Sequence, residues 1–438
     1  MYSEFSHLLR QRLSLPRRQF KGICGRKYSL RQYTSMGKTD DATAYSFPEE
    51  PIGIPAAAGY GFFQGGPGAL VGADNRYKLA GKLGFGTTSS VWLAMDNTQK
   101  RYVAVKILNG DVTKLNDEKK LRELLVMQRL SSVPQKNPHF TRLLDNFYHP
   151  GAEGDGEHLC LVTELRVGLD VVRKRFPEPL QDMALVKQLL RHVLLGLSAL
   201  HSVGVAHTDI KPDNILVDFN LSNSDVDDWL KKHPPRAYKP VQSFKGLVTC
   251  YASESFLPTS ITVKDIQKCS FELADFGSAQ IIGDQTTDHI TPLDLRPPEI
   301  VLGGPWNQAV DIWSFGCLAF HLLTGGSMFG PFPIPERHAT IEDTLLFQMM
   351  CYTGENFRRD FLCRCRRSLD YFKPDLTLQK FGVYVNKSLP VCVREGYGGV
   401  APEEDVQAIA LLLARCLRLD PDDRATADEL LGDPWLAM

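Results

Sequence analysis

An excess of charge of either sign is missing from this sequence. Over 438 residues, 50 Lys and Arg face 51 Asp and Glu, a net −1. That balance argues against a generally basic nucleic-acid binder, and no direct contact with nucleic acid is expected. Long apolar runs are also missing. None reaches the roughly 20 residues that cross a bilayer. The longest candidate, Ala184 to Val205, is interrupted by Lys187, Arg191, His192 and His201. It reads as a buried helix, not a membrane span. The ten cysteines form no pattern. Cys363 and Cys365 lie closest, with no second pair at zinc-finger spacing, so the cysteines read as free thiols in a reducing compartment. No internal repeat is present. Hydrophobic residues, at 43%, are frequent enough for a sizeable core and exclude wholesale disorder. The length suits about two to four compact units, or one large two-lobed domain with extensions.

The balanced total hides an asymmetry. Residues 1–39 hold Arg10, Arg12, Arg17, Arg18, Lys21, Arg26, Lys27, Arg31 and Lys38 against the single acid Glu4. Taking these nine and one from 50 and 51 leaves 41 basic and 50 acidic residues, so the remainder carries −9. Phe5, Leu8, Leu9 and Leu13 can share a helical face before Pro16. Two readings of this tail stay open: a mitochondrial transit peptide or a basic arm. Residues 40–76, rich in Gly, Pro and Ala, read as an extended linker draped over the following domain. From Tyr77 the pattern predicts an antiparallel sheet from Tyr77–Leu83, Val91–Ala94 and Tyr102–Leu108. A helix is predicted over Glu118–Leu130, with Leu121, Leu124, Leu125 and Leu130 near one face, and a strand over Cys160–Thr163. Helices dominate after about residue 166: Asp182–Val203, Ala309–Thr324, Glu404–Leu417 and Thr426–Leu431. The expected fold class is α+β, a small sheet-rich lobe followed by a larger helical one.

Four segments carry chemistry. Gly84-Phe85-Gly86, followed by Thr87, Thr88, Ser89, Ser90 and Val91, can bring backbone amides close to phosphate oxygens. Val103-Ala104-Val105-Lys106 places a lysine at the inner end of a strand beneath that loop. A buried lysine needs a carboxylate; Glu123 is the best candidate and Glu118 the competitor. In His207-Thr208-Asp209-Ile210-Lys211-Pro212-Asp213-Asn214, an Asp able to orient a hydroxyl, a Lys able to meet a phosphoryl group and an Asn able to ligate a metal lie within six positions. Asp275-Phe276-Gly277 follows the apolar segment Phe271–Ala274, and its carboxylate suits Mg²⁺. Downstream, buried Glu299 and Arg424 are expected to pair.

In this order and spacing the segments resemble a eukaryotic protein kinase from about Tyr77 to Leu436. The resemblance implies a bilobal fold, with a lobe of about 77–165, a lobe of about 166–436 and ATP in the cleft. It implies nucleotide contacts from Leu83, Gly84, Phe85, Gly86, Ser89, Val91, Ala104 and Lys106, with Glu123 as the helix partner. Thr163 and Glu164 would form the hinge beneath adenine, Thr163 as gatekeeper. Asp209 would be the catalytic base and Lys211 would support the transferred group, while Asn214 and Asp275 would hold Mg²⁺. His207 would brace the loop. Asp209-Ile210-Lys211 implies serine/threonine specificity.

Lys82-Leu83-Gly84-Phe85-Gly86, Ser90-Val91-Trp92-Leu93 and His207-Thr208-Asp209 are similar to the SR-protein-specific kinase (SRPK) group, as are Arg296 and a short insert at about 218–270. That similarity implies an Arg/Ser-rich, splicing-type protein substrate, a monomer, and a nuclear or cytoplasmic location; the transit-peptide reading implies the mitochondrion instead. The chain departs from the usual kinase loop in one place and from the group in two. Ser89 stands at the third glycine position, Phe276 replaces the usual Leu, and Thr291–Leu295 differs in wording. Glu336–Asp343 supplies candidate carboxylates for Arg recognition. Thr208 stands where many kinases carry an Arg that pairs with a phosphorylated loop, so activity without loop phosphorylation is expected. The alternatives are an inactive scaffold of this fold, a protein kinase with a non-RS substrate, and a small-molecule kinase. Intact Lys106, Asp209, Asn214 and Asp275 oppose the first, and the 275–299 segment opposes the last.

Overall fold

The computed structural model describes residues 45–133, 139–176, 182–382, 387–399 and 402–437. The tail, residues 1–39, lies outside them. The first lobe contains β1 (Leu70–Val71), β2 (Tyr77–Phe85), β3 (Ser89–Asp96), β4 (Arg101–Leu108), α1 (Gly110–Asp117), α2 (Glu123–Leu130), β5 (Leu143–Pro150) and β6 (Glu157–Glu164). The six strands form one antiparallel sheet in the order β1-β2-β3-β4-β6-β5.

Alternation along β4 decides which residues face the cleft. Val103, Val105 and Ile107 are buried on the outer face with Trp92, Ala94, Cys160 and Val162. Ala104 and Lys106 therefore point the other way. Their directly opposed neighbours share that inner face: Val91 beside Lys106, and Thr163 beside Ala104.

The segment read as a linker is built into this lobe from residue 45 on. Ile52, Ile54, Phe62, Phe63 and Val71 are buried, and β1 pairs with the start of β2. Its Gly and Pro content masks scattered aromatics that cap the outer face of the sheet.

The predicted helix over Glu118–Leu130 is two helices with a break. Glu118 caps α1, and Lys119 takes the left-handed φ of 58°. Restarting at Glu123 shifts the helical phase. Val126, Met127 and Leu130 are buried and Leu125 faces solvent, against the expected stripe.

The second lobe adds β7 (Val167–Gly168), α3 (Leu169–Arg175), α4 (Met183–Ser202), β8 (Val205–Ala206), β9 (Ile215–Asp218), α5 (Asn223–Lys232), β10 (Val241–Ser243), β11 (Gly246–Val248), α6 (Val263–Ile266), β12 (Ser270–Leu273) and β13 (Gln280–Ile281). Helices α7 (Pro298–Leu302), α8 (Ala309–Thr324), α9 (Ile341–Thr353), α10 (Arg359–Arg364), α11 (Ser368–Tyr371), α12 (Leu389–Gly396), α13 (Glu403–Cys416) and α14 (Ala427–Leu431) follow. Helix α4 is long and apolar enough to cross a membrane. Here its Leu185, Leu189, Val193, Leu197 and Leu200 lie in the lobe's core.

Two buried polar anchors hold this lobe. Asp311, on α8, accepts from the backbone N–H of His207 (2.8 Å) and of Thr208 (2.7 Å) and bonds His201 Nε2 (2.9 Å). Arg424 grips Glu299 with two parallel bonds of 2.6 and 2.7 Å, both side chains fully buried. It also donates to the carbonyls of Arg418 and Ala309 and lies over the Trp313 ring. Removing one partner strands the other charge in the core, a cost of about 3–5 kcal/mol. Glu299→Ala should lose that much stability in urea unfolding; a loss under about 1 kcal/mol would contradict the anchor.

Candidate active site

The inner face of the small lobe meets the large lobe at one lysine. Lys106 Nζ lies 2.6 Å from Glu123 Oε1 on α2 and 2.8 Å from Asp275 Oδ1. Glu118, the competing candidate, pairs with Lys120 and Lys114 instead. Burial disfavours the charged Lys106, but Asp275 and Glu123 outweigh it and raise its pKa. Lys106 in turn holds the Asp275 carboxyl well below the usual carboxylate range. Burial pushes Glu123 up against the opposing pull of Lys106.

Asp275 adopts φ 63°, a left-handed conformation uncommon outside glycine, which turns its carboxylate to Lys106. Phe276 is buried in the core against the His207 ring.

Asp209 sits opposite. Lys211 Nζ donates to its Oδ2 (2.6 Å), and Asn214 Nδ2 donates to the same oxygen and to its backbone carbonyl, both at 2.8 Å. His207 accepts from the Asp209 N–H through Nδ1 (3.3 Å), so its Nε2 donates to the Ala274 carbonyl (3.0 Å). It braces the loop and does not reach Asp209's carboxylate. Strands β9 and β12 pair Ile215 with Leu273, and Ala274 N donates to the Asn214 carbonyl. This ladder puts Asn214 and Asp275 at the adjoining ends of two strands.

The remaining predicted residues line the same cleft. Gly84 and Phe85 end β2 and Gly86 opens the turn to β3, and a Cβ on either glycine would meet nothing within 4 Å. Their smallness answers to no neighbour in the protein. Ser89 opens β3, and Leu83 packs from β2 against the main core. Glu164 is the exception. It opposes Val103, on the outer side of the sheet, and its carboxylate binds Arg166. Only its backbone can face the cleft. Arg166 also pairs with Asp218 (3.0 Å) and Glu272 (3.1 Å), tying the connection between lobes to β9 and β12. Sequence reasoning missed this cluster because its members are spread over a hundred positions.

The 275–299 segment is held by side chains of ordinary charge. Thr208, buried at φ 66°, donates from Oγ1 to the Ser278 carbonyl (2.8 Å). Asp284 pairs with Arg122, the residue before Glu123, at 2.5 Å. Asp288 accepts from Trp306 Nε1 (3.0 Å) and pairs with Arg366 (2.7 Å). The Thr286 N–H and hydroxyl both donate to Gln280 Oε1. Two carboxylates of the segment thus occupy Arg122 and Arg366.

The carboxylates expected in Glu336–Asp343 fare unequally. Asp343 is buried and accepts from the N–H and hydroxyl of Thr340, capping α9. It is not available to a substrate. Glu336 is exposed.

Burial pushes the Glu272 carboxyl up to about 7, with Arg166 opposing. Its ordinary value is 4.5, so the folded chain binds this proton more tightly than the unfolded chain. The contribution to stability is largest in acid and falls as pH rises from about 4.5 to about 7. Glu272→Gln removes that fall. In urea unfolding, the stability of the wild type minus that of the variant should decline between pH 5 and 8. A difference flat with pH would contradict the assignment.

Comparison with known proteins agrees with this geometry. The model of the protein kinase domain matches residues 77–231 and 258–436. A serine/threonine-protein kinase SRPK of Physarum polycephalum is 28% identical over 389 residues, covering 83% of this chain and 86% of its own. A serine/threonine protein kinase of Aspergillus fumigatus is 30% identical over 371 residues, covering 83% and 84%. Protein kinase dsk1 of Schizosaccharomyces pombe is 25% identical over 446 residues, covering 82% and 80%. The chain belongs to the protein kinase family, as a serine/threonine kinase similar to those of the SRPK group.

Proposed function

We propose that this cleft transfers the γ-phosphate of ATP to serine or threonine hydroxyls of Arg-flanked protein segments, and does so without phosphorylation of its own 275–299 segment. The observation that carries the reading is the lysine shared between Glu123 and Asp275, with Asp209 held opposite by Lys211 and Asn214.

Each residue then has a task. Lys106, fixed by Glu123, meets the α- and β-phosphates. Asp209 accepts a bond from the incoming hydroxyl and orients it for in-line attack, while Lys211 meets charge on the transferred group. Asp275, kept ionised by Lys106, and the buried Asn214 would hold Mg²⁺; Asn214 spends Nδ2 on Asp209, which leaves its amide oxygen to ligate the ion. Two hard oxygens suit that ion. When bound, Mg²⁺ neutralises charge on the β- and γ-phosphates. Ala104, Val91 and Thr163 form the apolar inner face for adenine.

Support for Arg-flanked serines comes from the SRPK relative and from charge. Past residue 39 the chain carries −9. Asp213, exposed in the catalytic loop, and Asp294, two residues before Arg296, both favour positive charge at His321. Carboxylates there can accept bidentate bonds from Arg.

Asp209→Asn should abolish phosphate transfer while nucleotide still binds, whereas Asp275→Ala should also weaken Mg·ATP binding. Near-normal turnover by folded Asp209→Asn would refute the assignment. On a peptide array, Arg-flanked serines should outcompete acid-flanked ones, and the preference should shrink with salt because it is partly screened over about 8–10 Å. Equal or better use of acidic peptides would overturn the substrate class and leave the kinase reading standing.

A further inference from the structure

Two stretches outside the kinase-domain match, the leader (residues 45–76) and the insert (residues 232–257), are not separate ornaments. They pack on each other over the outer face of the small lobe. Ile52 and Phe62 of the leader share one apolar cluster with Val248 and Cys250 of the insert. Ser243 Oγ donates to the Ile52 carbonyl (2.7 Å). A Cβ on Gly66 would fall 2.3 Å from the Tyr251 ring, so only glycine allows that contact.

The joint closes on Lys82, two residues before Gly84. Its ammonium is buried between two leader carboxylates, Glu50 in direct contact and Glu49 at 3.3 Å, with the Tyr251 carbonyl of the insert also at 3.3 Å. Glu49 accepts in turn from the Ser253 N–H (3.2 Å) and hydroxyl (2.8 Å). Among the described residues no strand pairs with the outer side of β2 beyond Lys78, and there the Glu254 N–H of the insert bonds the Lys82 carbonyl (3.0 Å). That bond covers an open sheet edge. Lys82 also lies between the two register shifts of β2, where the strand's own ladder is weakest.

The same ammonium reaches the nucleotide loop. Lys82 Nζ lies 4.9 Å from the centre of the Phe85 ring, the residue between Gly84 and Gly86. A cation over a ring face attracts it, the more so when desolvated. One charge therefore bonds leader, insert and Phe85, the last residue of β2 before the turn.

We infer that Lys82, clasped by Glu49 and Glu50, is a positioning residue for ATP: the leader and insert hold it, and it holds the glycine turn over the phosphates. The inference rests on the kinase reading but concerns residues that touch neither ATP nor Asp209. A residue that merely stabilised the lobe would lower the unfolding temperature and leave both Michaelis constants of the folded enzyme unchanged.

The test uses the full chain with Lys82→Met, Lys82→Arg, Glu50→Gln and Ser253→Ala, assayed with an Arg-flanked serine peptide. Lys82→Met should raise KM for ATP roughly 5- to 20-fold, with peptide KM and kcat at saturating ATP within about twofold of wild type. Lys82→Arg should recover most of the loss. If Lys82→Met fails to fold, Glu50→Gln and Ser253→Ala, which leave Lys82 and its contact with Phe85 in place, should still raise KM for ATP, by smaller factors. Unchanged KM for ATP in every folded variant, or equal rises in both constants, overturns the clasp. Failure of the wild type to bind Mg·ATP at all would overturn the kinase reading itself.

Discussion

The register of the two lobes across the cleft depends on the Lys106 ammonium and the two carboxylates that share it. Glu123 belongs to a small-lobe helix and Asp275 to a turn of the large lobe, so this one charge registers the lobes against each other. The arrangement is electrostatically closed. Lys106 keeps Asp275 ionised, and the two acids keep Lys106 charged despite burial. Asp209 is fixed independently, through Lys211 and Asn214 in front and Asp311 behind. The cleft is thus two rigid halves joined by the β9–β12 ladder, which supports the pre-arranged positioning that phosphoryl transfer demands.

The same logic extends outward. Arg122 binds Asp284 next to Glu123 in the chain, so α2 and the 275–299 segment restrain each other. Asp288 joins that segment to Arg366 and Trp306. In a kinase switched by phosphorylation, added phosphate supplies such anions. In the proposed reading aspartates stand in those roles, and Thr208 bonds a carbonyl where many kinases carry an arginine. On the far side of the sheet, the leader and insert fix the stem of the glycine turn.

Legibility in the sequence followed the range of the interaction. Lys106, Asp209, Lys211, Asn214 and Asp275 were readable because each sits in a short segment whose chemistry is local. Helix α8 was read to its ends because its apolar positions are continuous and Gly325 takes the left-handed cap. The start of α2 was not, because Lys119 breaks the chain with a backbone angle that its side chain does not announce. The contacts of the leader were not readable, because Glu49 and Glu50 meet Lys82 and Ser253 from distant positions in the chain. Asp343 misled in the opposite sense: a carboxylate that looked free is spent on a helix cap.

The most direct measurement of the central claim is phosphoryl transfer by the full chain after exhaustive phosphatase treatment, beside Lys106→Met handled identically. A cleft assembled by its own aspartates and arginines predicts equal initial rates before and after treatment, and none from Lys106→Met. A large loss of rate on treatment, mapped to Thr286, Thr287 or Thr291 and restored by rephosphorylation there, would contradict it.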